Sequence, residues 1–366
     1  MTTAVPATPR RKGRPWLASP GRFAGLGRRS AQAWLAIVAV LMLVALIAAR
    51  APTADPIDAA VDSALADGVR HGGDFYAVAT DTAQGSGLPA SVRTIPLPTL
   101  SVIEGQAPAP LASAAMMLLA VLVVLAWYAG FGDRLTGRRA RAGALLLMLL
   151  GMAITLRPAL VAVPEGWAGL LVALSLARAA PGRTVEPAAL GLAATMLTPA
   201  ALPYALVMLL AAWRTRSRQA AAGWAVVILA GVVAVALNAR ALGIVVPAGA
   251  DHAAPDGLGV YASLASFGWA TGLRALPSGL ALPLVVLAIA GWATRREPVA
   301  LSVLALIVLE AALIAALEAP NAALIVAPLL PLGLLAVPDA LRALSTAALD
   351  RRRITVTRVE RGGLVR

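Results

Sequence analysis

The sequence predicts an all-α, polytopic integral membrane protein, and three observations carry that prediction. Of the 366 residues, 60% are hydrophobic and 13% charged, with a mean hydropathy of +0.81, whereas soluble domains carry about 25% charge. The apolar residues come in unbroken runs rather than in one stripe per helix. The 31 basic residues, against 18 acidic ones, gather between alternate runs. The net charge of +13 therefore reads as membrane topology and not as nucleic-acid binding. There is no cysteine, which excludes disulfides, thiolate metal sites and a cysteine nucleophile. Two histidines, His71 and His252, leave little for a histidine-rich metal centre.

Residues 1–30 are rich in Pro, Gly and Arg and contain no acid, the pattern of a disordered basic cytoplasmic tail. Ala31 to Ala49 is a 19-residue apolar run, longer than the core of a typical signal peptide, and predicts an uncleaved first span. Further runs lie at about 111–131, 142–156, 166–177, 187–213, 220–239, 275–294, 298–317 and 319–338. The 187–213 run is basic at both ends and broken by Pro199 and Pro203, which predicts two short helices in a hairpin. That gives about ten crossings with both termini cytoplasmic, and 25 of the 31 Lys/Arg then fall on the cytoplasmic side. Seven of the eight tryptophans fall near span ends, as in an aromatic belt. The expected organisation is a basic tail over 1–30, a transmembrane domain over 31–342 and a basic tail over 343–366. Arg351-Arg352-Arg353 in that last tail suits anionic lipid.

The first external loop, 50–110, holds seven acids: Asp55, Asp58, Asp62, Asp67, Asp74, Asp81 and Glu104. Asp55-Pro56 is a helix-start signal. Ile57, Val61, Ala64, Leu65 and Val69 follow at helical spacing, which predicts an amphipathic helix on the external membrane surface. After His71-Gly72-Gly73, Asp74 is placed to cap a second short helix, and Asp81, two turns on, shares its face. Pro96-Leu97-Pro98 gives a rigid, extended approach to the second span.

Gly73-Asp74-Phe75-Tyr76-Ala77-Val78-Ala79, followed by Leu97-Pro98-Thr99-Leu100, resembles bacterial membrane proteins of the GT-C glycosyltransferase superfamily. Shorter likenesses are Glu165-Gly166-Trp167-Ala168-Gly169, Leu202-Pro203-Tyr204 and Ala327-Pro328-Leu329-Leu330-Pro331, so the resemblance runs over about 31–342. It implies an inverting hexosyl- or pentosyltransferase of a bacterial inner membrane. Such an enzyme moves a sugar from a polyprenyl-phosphate donor to an external lipid or glycan acceptor. It also implies a catalytic acid in the first external loop, the position that Asp74 occupies. Physical chemistry agrees with the role: direct displacement at an oxocarbenium-like carbon needs one carboxylate as base, and the leaving phosphate needs cations. Arg93, Arg157 and Arg240 are the external candidates for that phosphate, with Arg93 and Arg157 nearest the acidic loop. Asp81 and His71 flank Asp74 as further substrate-binding candidates.

Glu165 lies near Arg157 in sequence, where an ion pair and acceptor binding are equally good readings. Glu310 falls inside a span, where a protonated carboxyl bonded to a neighbouring helix is expected. Tyr76 points away from Asp74 on a helix and is a packing residue. His252 sits in a turn of the second external loop with too few neighbouring ligands for a metal. No cofactor is expected, and no ligand set supports a divalent metal. No phosphate-binding glycine loop with a lysine occurs, which argues against an NTP-driven pump. Two other readings fit the same residues. Thr198-Pro199-Ala200-Ala201 stands where the family carries an Arg-Glu pair, which suits a catalytically silent scaffold of an envelope-polymer machine. The broken hairpin suits a lipid-carrier flippase or transporter.

Overall fold

The computed structural model describes Leu17 and residues 21–50, 59–85, 95–135, 137–180, 182–245 and 259–349. Asp55-Pro56, Arg93, His252 and the Arg351–Arg353 cluster lie outside the described residues. Among the described residues all regular structure is helical, and the two β-bridges, Leu17 with Leu135 and Ala180 with Arg183, are isolated. The chain is all-α.

A 3-10 turn, Arg22–Gly25, precedes α1 (Arg28–Ala48). The segment after α1 carries α2 (Ala60–Arg70), α3 (Phe75–Gly85) and α4 (Pro98–Gln106). The remaining helices are α5 (Ala109–Arg134), α6 (Gly137–Met152), α7 (Pro164–Arg178), α8 (Val185–Leu197), α9 (Leu202–Arg214), α10 (Arg218–Val245), α11 (Gly259–Trp269), α12 (Ser278–Thr294), α13 (Pro298–Leu317), α14 (Ala323–Val326) and α15 (Val337–Leu349). Five helical stretches are long and apolar enough to cross a membrane: Arg28–Ile47, Pro110–Gly132, Arg218–Val245, Pro298–Leu317 and Leu330–Leu349. Val40, Leu118, Leu125, Leu229 and Leu237 on three of them are more than half exposed. A water-soluble helix turns such residues inward; here they suit contact with lipid, where the backbone is already satisfied within each helix.

The break predicted inside 187–213 is present. Thr198 is extended, its Oγ accepts from the Ala200 amide at 3.3 Å, and Pro199–Ala201 forms a 3-10 turn between α8 and α9. Along α10, Gly223 faces Ala188 and Gly231 faces Thr195, so α8 runs parallel to α10. Gly231 also faces Leu202 while the Trp224 ring meets Tyr204 at 5.3 Å, so α9 returns. At 13 residues each, the two limbs are about 20 Å long, shorter than a bilayer core of about 30 Å. The hairpin foot carries Arg183, Arg214, Arg216 and Arg218, and its tip lies inside the bundle.

Around the irregular stretch from Pro320 to Ala336 the bundle closes. This stretch is α14 and a 3-10 run, Leu330–Ala336, where the sequence suggested one continuous span. Pro328 and Pro331 withhold backbone donors, so the freed carbonyls need partners from protein. Trp292 adds a brace from α12, its indole N–H donating at 3.1 Å to the Leu329 carbonyl, which also accepts from the Leu332 amide at 3.1 Å. Gly169 and Gly291 let the backbones of α7 and α12 approach the carbonyls of Leu324 and Gly333, where a Cβ would collide. Trp127 likewise donates to Ala173 O at 2.9 Å. Trp127, Trp224 and Trp292 are buried, so these three act as interior braces where their positions suggested an interfacial belt.

Other differences from the sequence reading have simple causes. Part of the basic N-terminal segment is packed: Phe23 is buried against Trp34 at 5.2 Å, and Gly21 sits on Thr294. The C-terminal segment from residue 343 is helical to Leu349, with Leu344 buried. The apolar face of α2 is covered by protein, Leu65 clustering with Phe75, Ile95 and Leu242. Pro98 stands at the first turn of α4, so the extended approach at Leu97 runs straight into a helix. Within the span read as external loop, α11 packs its small residues on α13, with Ser263 Oγ donating to Ala311 O at 2.8 Å.

Candidate functional site

A cavity of about 530 Å³ opens where α2 and α4 meet the start of α5 and the Arg157–Ala162 segment. Its lining includes three guanidinium groups, Arg70, Arg157 and Arg274, and one carboxyl, Glu104. Each arrives by a different route. Gly105 lets α4 approach the Arg70 backbone, since a Cβ there would lie 3.2 Å from the Arg70 amide. Arg70 ends α2, donating to the Glu104 carbonyl at 3.1 Å and meeting the Asp67 carboxylate at 3.5 Å. Arg157 begins the 3-10 turn at Pro158–Leu160 and is exposed, with no ion pair among the described residues. Arg274 lies in the 3-10 turn after α11, its guanidinium 4.4 Å from the Trp269 ring.

Glu104 is 5% exposed, and its Oε1 has no hydrogen-bond partner. Burial pushes its carboxyl from the ordinary 4.5 up to about 7, and the nearby Arg70 charge offsets only part of that. A carboxyl that titrates near neutrality, in a cavity whose lining also includes three arginines, can release or accept a proton at physiological pH, and arginines are suited to hold a phosphate. The volume lies within the range of about 300–1,000 Å³ usual for small-molecule sites.

The sequence candidates are distributed unevenly. Arg157 lines the cavity; Asp74 does not. Asp74 caps α3, its Oδ1 accepting from the amides of Tyr76 at 3.0 Å and Ala77 at 3.1 Å, and it is exposed. Tyr76 reaches the other way and donates its hydroxyl to Asn238 of α10 at 3.1 Å, docking α3 on that helix. Asp81 and Arg240 are exposed, on α3 and α10. His71 closes α2, with Nδ1 at 2.8 Å from the Asp67 carbonyl. Arg93 lies outside the described residues. Glu165 has Thr198, not Arg157, as its hydrogen-bond donor, at 2.7 Å. Among the described residues no three His, Asp or Glu side chains come together as a metal set.

Glu104, Arg70 and Arg274 were missed as site residues. Glu104 was one of seven acids in its loop, and the two arginines were two of six external ones. Nothing in local spacing set them apart, because only the docking of α2 on α4 and the return of the chain after α11 brings them together. The class that fold and site define is an all-helical, membrane-spanning protein with an arginine-lined cavity. No protein-family model matches the chain, and no curated protein or solved structure matches it.

Proposed function

We propose that this protein is an inverting membrane glycosyltransferase that works on a polyprenyl-phosphate-linked sugar at the external face of a bacterial inner membrane. The observation that carries the reading is the meeting of Arg70, Arg157 and Arg274 with the single buried carboxyl of Glu104 in one cavity. Glu104, rather than Asp74, is the base in this reading. It takes the proton of the acceptor hydroxyl as the acceptor oxygen bonds to the anomeric carbon, and the bond from that carbon to the phosphate oxygen breaks. The guanidinium groups receive the charge that develops on the departing lipid phosphate. Asp74 caps α3, which packs on α2 behind the site.

This reading includes the topology of about ten crossings with both termini in the cytoplasm. It is supported by the short hairpin and by the gathering of the N-terminal segment, the end of α5 and the end of α12, through the Leu17–Leu135 bridge and the Gly21–Thr294 contact, at one arginine-rich end. The flippase or transporter remains the second reading. It draws on Glu310, buried within α13 near a broken hairpin.

The test is mass spectrometry of envelope glycolipids and glycans in a deletion strain complemented at matched membrane levels with the native chain, Glu104→Gln or Asp74→Asn. The expected result is loss of one sugar increment on deletion, and its return with the native chain and Asp74→Asn but not with Glu104→Gln. Return with Glu104→Gln but not with Asp74→Asn moves the base to Asp74. Return with both variants, or no increment to lose, overturns the transferase reading in favour of a carrier or scaffold.

A further inference from the structure

The geometry points to a headgroup site for one anionic phospholipid at the arginine-rich end of the bundle, built from Arg22, Arg296 and the first turn of α1. None of these residues lines the arginine cavity, and the site stands whatever that cavity does. The approach to α1 is seated on the bundle. Leu17 bridges to Leu135, and Gly21 lies so close to Thr294 that a Cβ would come within 2.8 Å of its carbonyl oxygen. The buried Phe23 packs with Trp34, Ala293 and Leu344. On the 3-10 turn Arg22–Gly25, the Arg296 guanidinium lies over Gly25, 3.8 Å from where a Cβ would stand. Side chains three residues apart eclipse in a 3-10 turn, so Arg22 leaves the turn on the face that Arg296 covers. After Leu26 and Gly27, Arg28 and Arg29 open α1.

Arg28, Arg29 and Arg296 are exposed and Arg22 is half-buried, and none of the four has an ion pair among the described residues. The acids nearby are committed. Glu297 takes two donors of Arg295, at 3.2 and 3.4 Å. The helices packed against the turn and α1, which are α11, α12 and α15, carry one acid between them, Asp339. Asp339 accepts from the Leu17 amide and faces Arg342. The first turn of a helix also disfavours cations. Seating a basic segment on a basic end therefore leaves repulsion that the nearby carboxylates do not offset, and a phosphate held between guanidinium groups does. Position along α1 says which phosphate. From Arg29 to Ile37, an apolar residue that is half exposed, the helix rises about 12 Å. The headgroup layer is about 5–8 Å deep, and arginine stems reach back over the difference. The guanidinium groups thus sit at the level of the lipid phosphates, where anionic lipid is the anion at hand.

The experiment titrates the full chain, in a neutral detergent, with dioctanoyl phosphatidylglycerol or dioctanoyl phosphatidylcholine and counts bound lipid by native mass spectrometry. Inorganic phosphate is the competitor that represents a free anion. The expected result is one phosphatidylglycerol bound about tenfold or more tightly than phosphatidylcholine, and not displaced by an equal concentration of phosphate. Arg22→Gln combined with Arg296→Gln should weaken that binding about tenfold or more, and Arg296→Gln alone by a smaller factor. Two charge-matched controls should bind as the native chain does: Arg214→Gln at the hairpin foot and Arg157→Gln in the cavity. All variants are compared at matched gel-filtration profiles, and Arg296→Gln alone carries the test where the double variant is not monodisperse. The proposal is overturned if phosphatidylcholine binds as well, if phosphate displaces the lipid at equal concentration, or if the Arg296 variants bind like the native chain. Loss with Arg157→Gln instead places the lipid in the cavity, and equal loss with Arg214→Gln shows only diffuse attraction to charge; either result also overturns it.

Discussion

The guanidinium of Arg70 donates to the backbone carbonyl of Glu104 and not to its carboxylate, at 3.1 Å. The carboxyl therefore sits beside a cation without a partner on Oε1, and its proton affinity is set by burial more than by the neighbouring charge. An ion pair in the same place would have fixed Glu104 as a permanent anion unable to act as a base near neutrality.

Activity is expected to depend on the ionised form of Glu104. Turnover therefore falls as pH drops through about 7, with a single acidic limb in kcat/KM. Glu104→Gln removes that limb together with most of the activity. A pH–rate profile of the purified enzyme checks it.

The same shift has the opposite sign for stability. The carboxyl binds its proton more tightly folded than unfolded, so its contribution is fully present below about 4.5 and is lost as pH rises through about 7. Relative to Glu104→Gln, the native chain should lose thermal stability over that window and match its trend below it. Thermal unfolding of both proteins in one detergent across the range measures the difference.

Arg157 is the cavity cation with the least other employment. Arg157→Ala should weaken donor binding by about ten- to a hundredfold, the usual worth of a charged hydrogen bond, and leave the unfolding temperature nearly unchanged. Arg274→Ala should weaken binding similarly but also release its stacking on Trp269. Titration with a short-chain polyprenyl phosphate separates the two effects.

Asp74→Ala removes a cap that accepts two amide bonds and should cost about 1 kcal/mol of local stability, seen as faster proteolysis near α3. Asp74→Asn keeps an equivalent cap and should restore it. Proteolysis kinetics of the two variants in nanodiscs distinguish capping from any wider structural loss.

Gly291→Ala puts a methyl group against the Gly333 carbonyl, backbone on backbone, with no side chain able to move aside. The cost should be at least about 1–3 kcal/mol. The expected outcome is a lower unfolding temperature and loss of monodispersity on gel filtration. Gly279→Ala, where nothing lies within 4 Å, should behave as the native chain.

Long-range order explains which features were legible in the sequence and which were not. The apolar runs announce a membrane-spanning protein because hydropathy is a local sum. The break at Pro199 is legible because proline acts on its own backbone, and the Asp74 cap because it bonds amides two and three residues away. Spacing gave no hint of the cavity, since Arg70, Glu104, Arg157 and Arg274 belong to four segments that meet only when α2 docks on α4 and the chain returns after α11. Nor did the indole ring itself show that Trp292 braces the Leu329 carbonyl instead of meeting the membrane surface. That was decided by the packing of α12 on the 3-10 run Leu330–Ala336, which brings the Trp292 side chain against the Leu329 carbonyl.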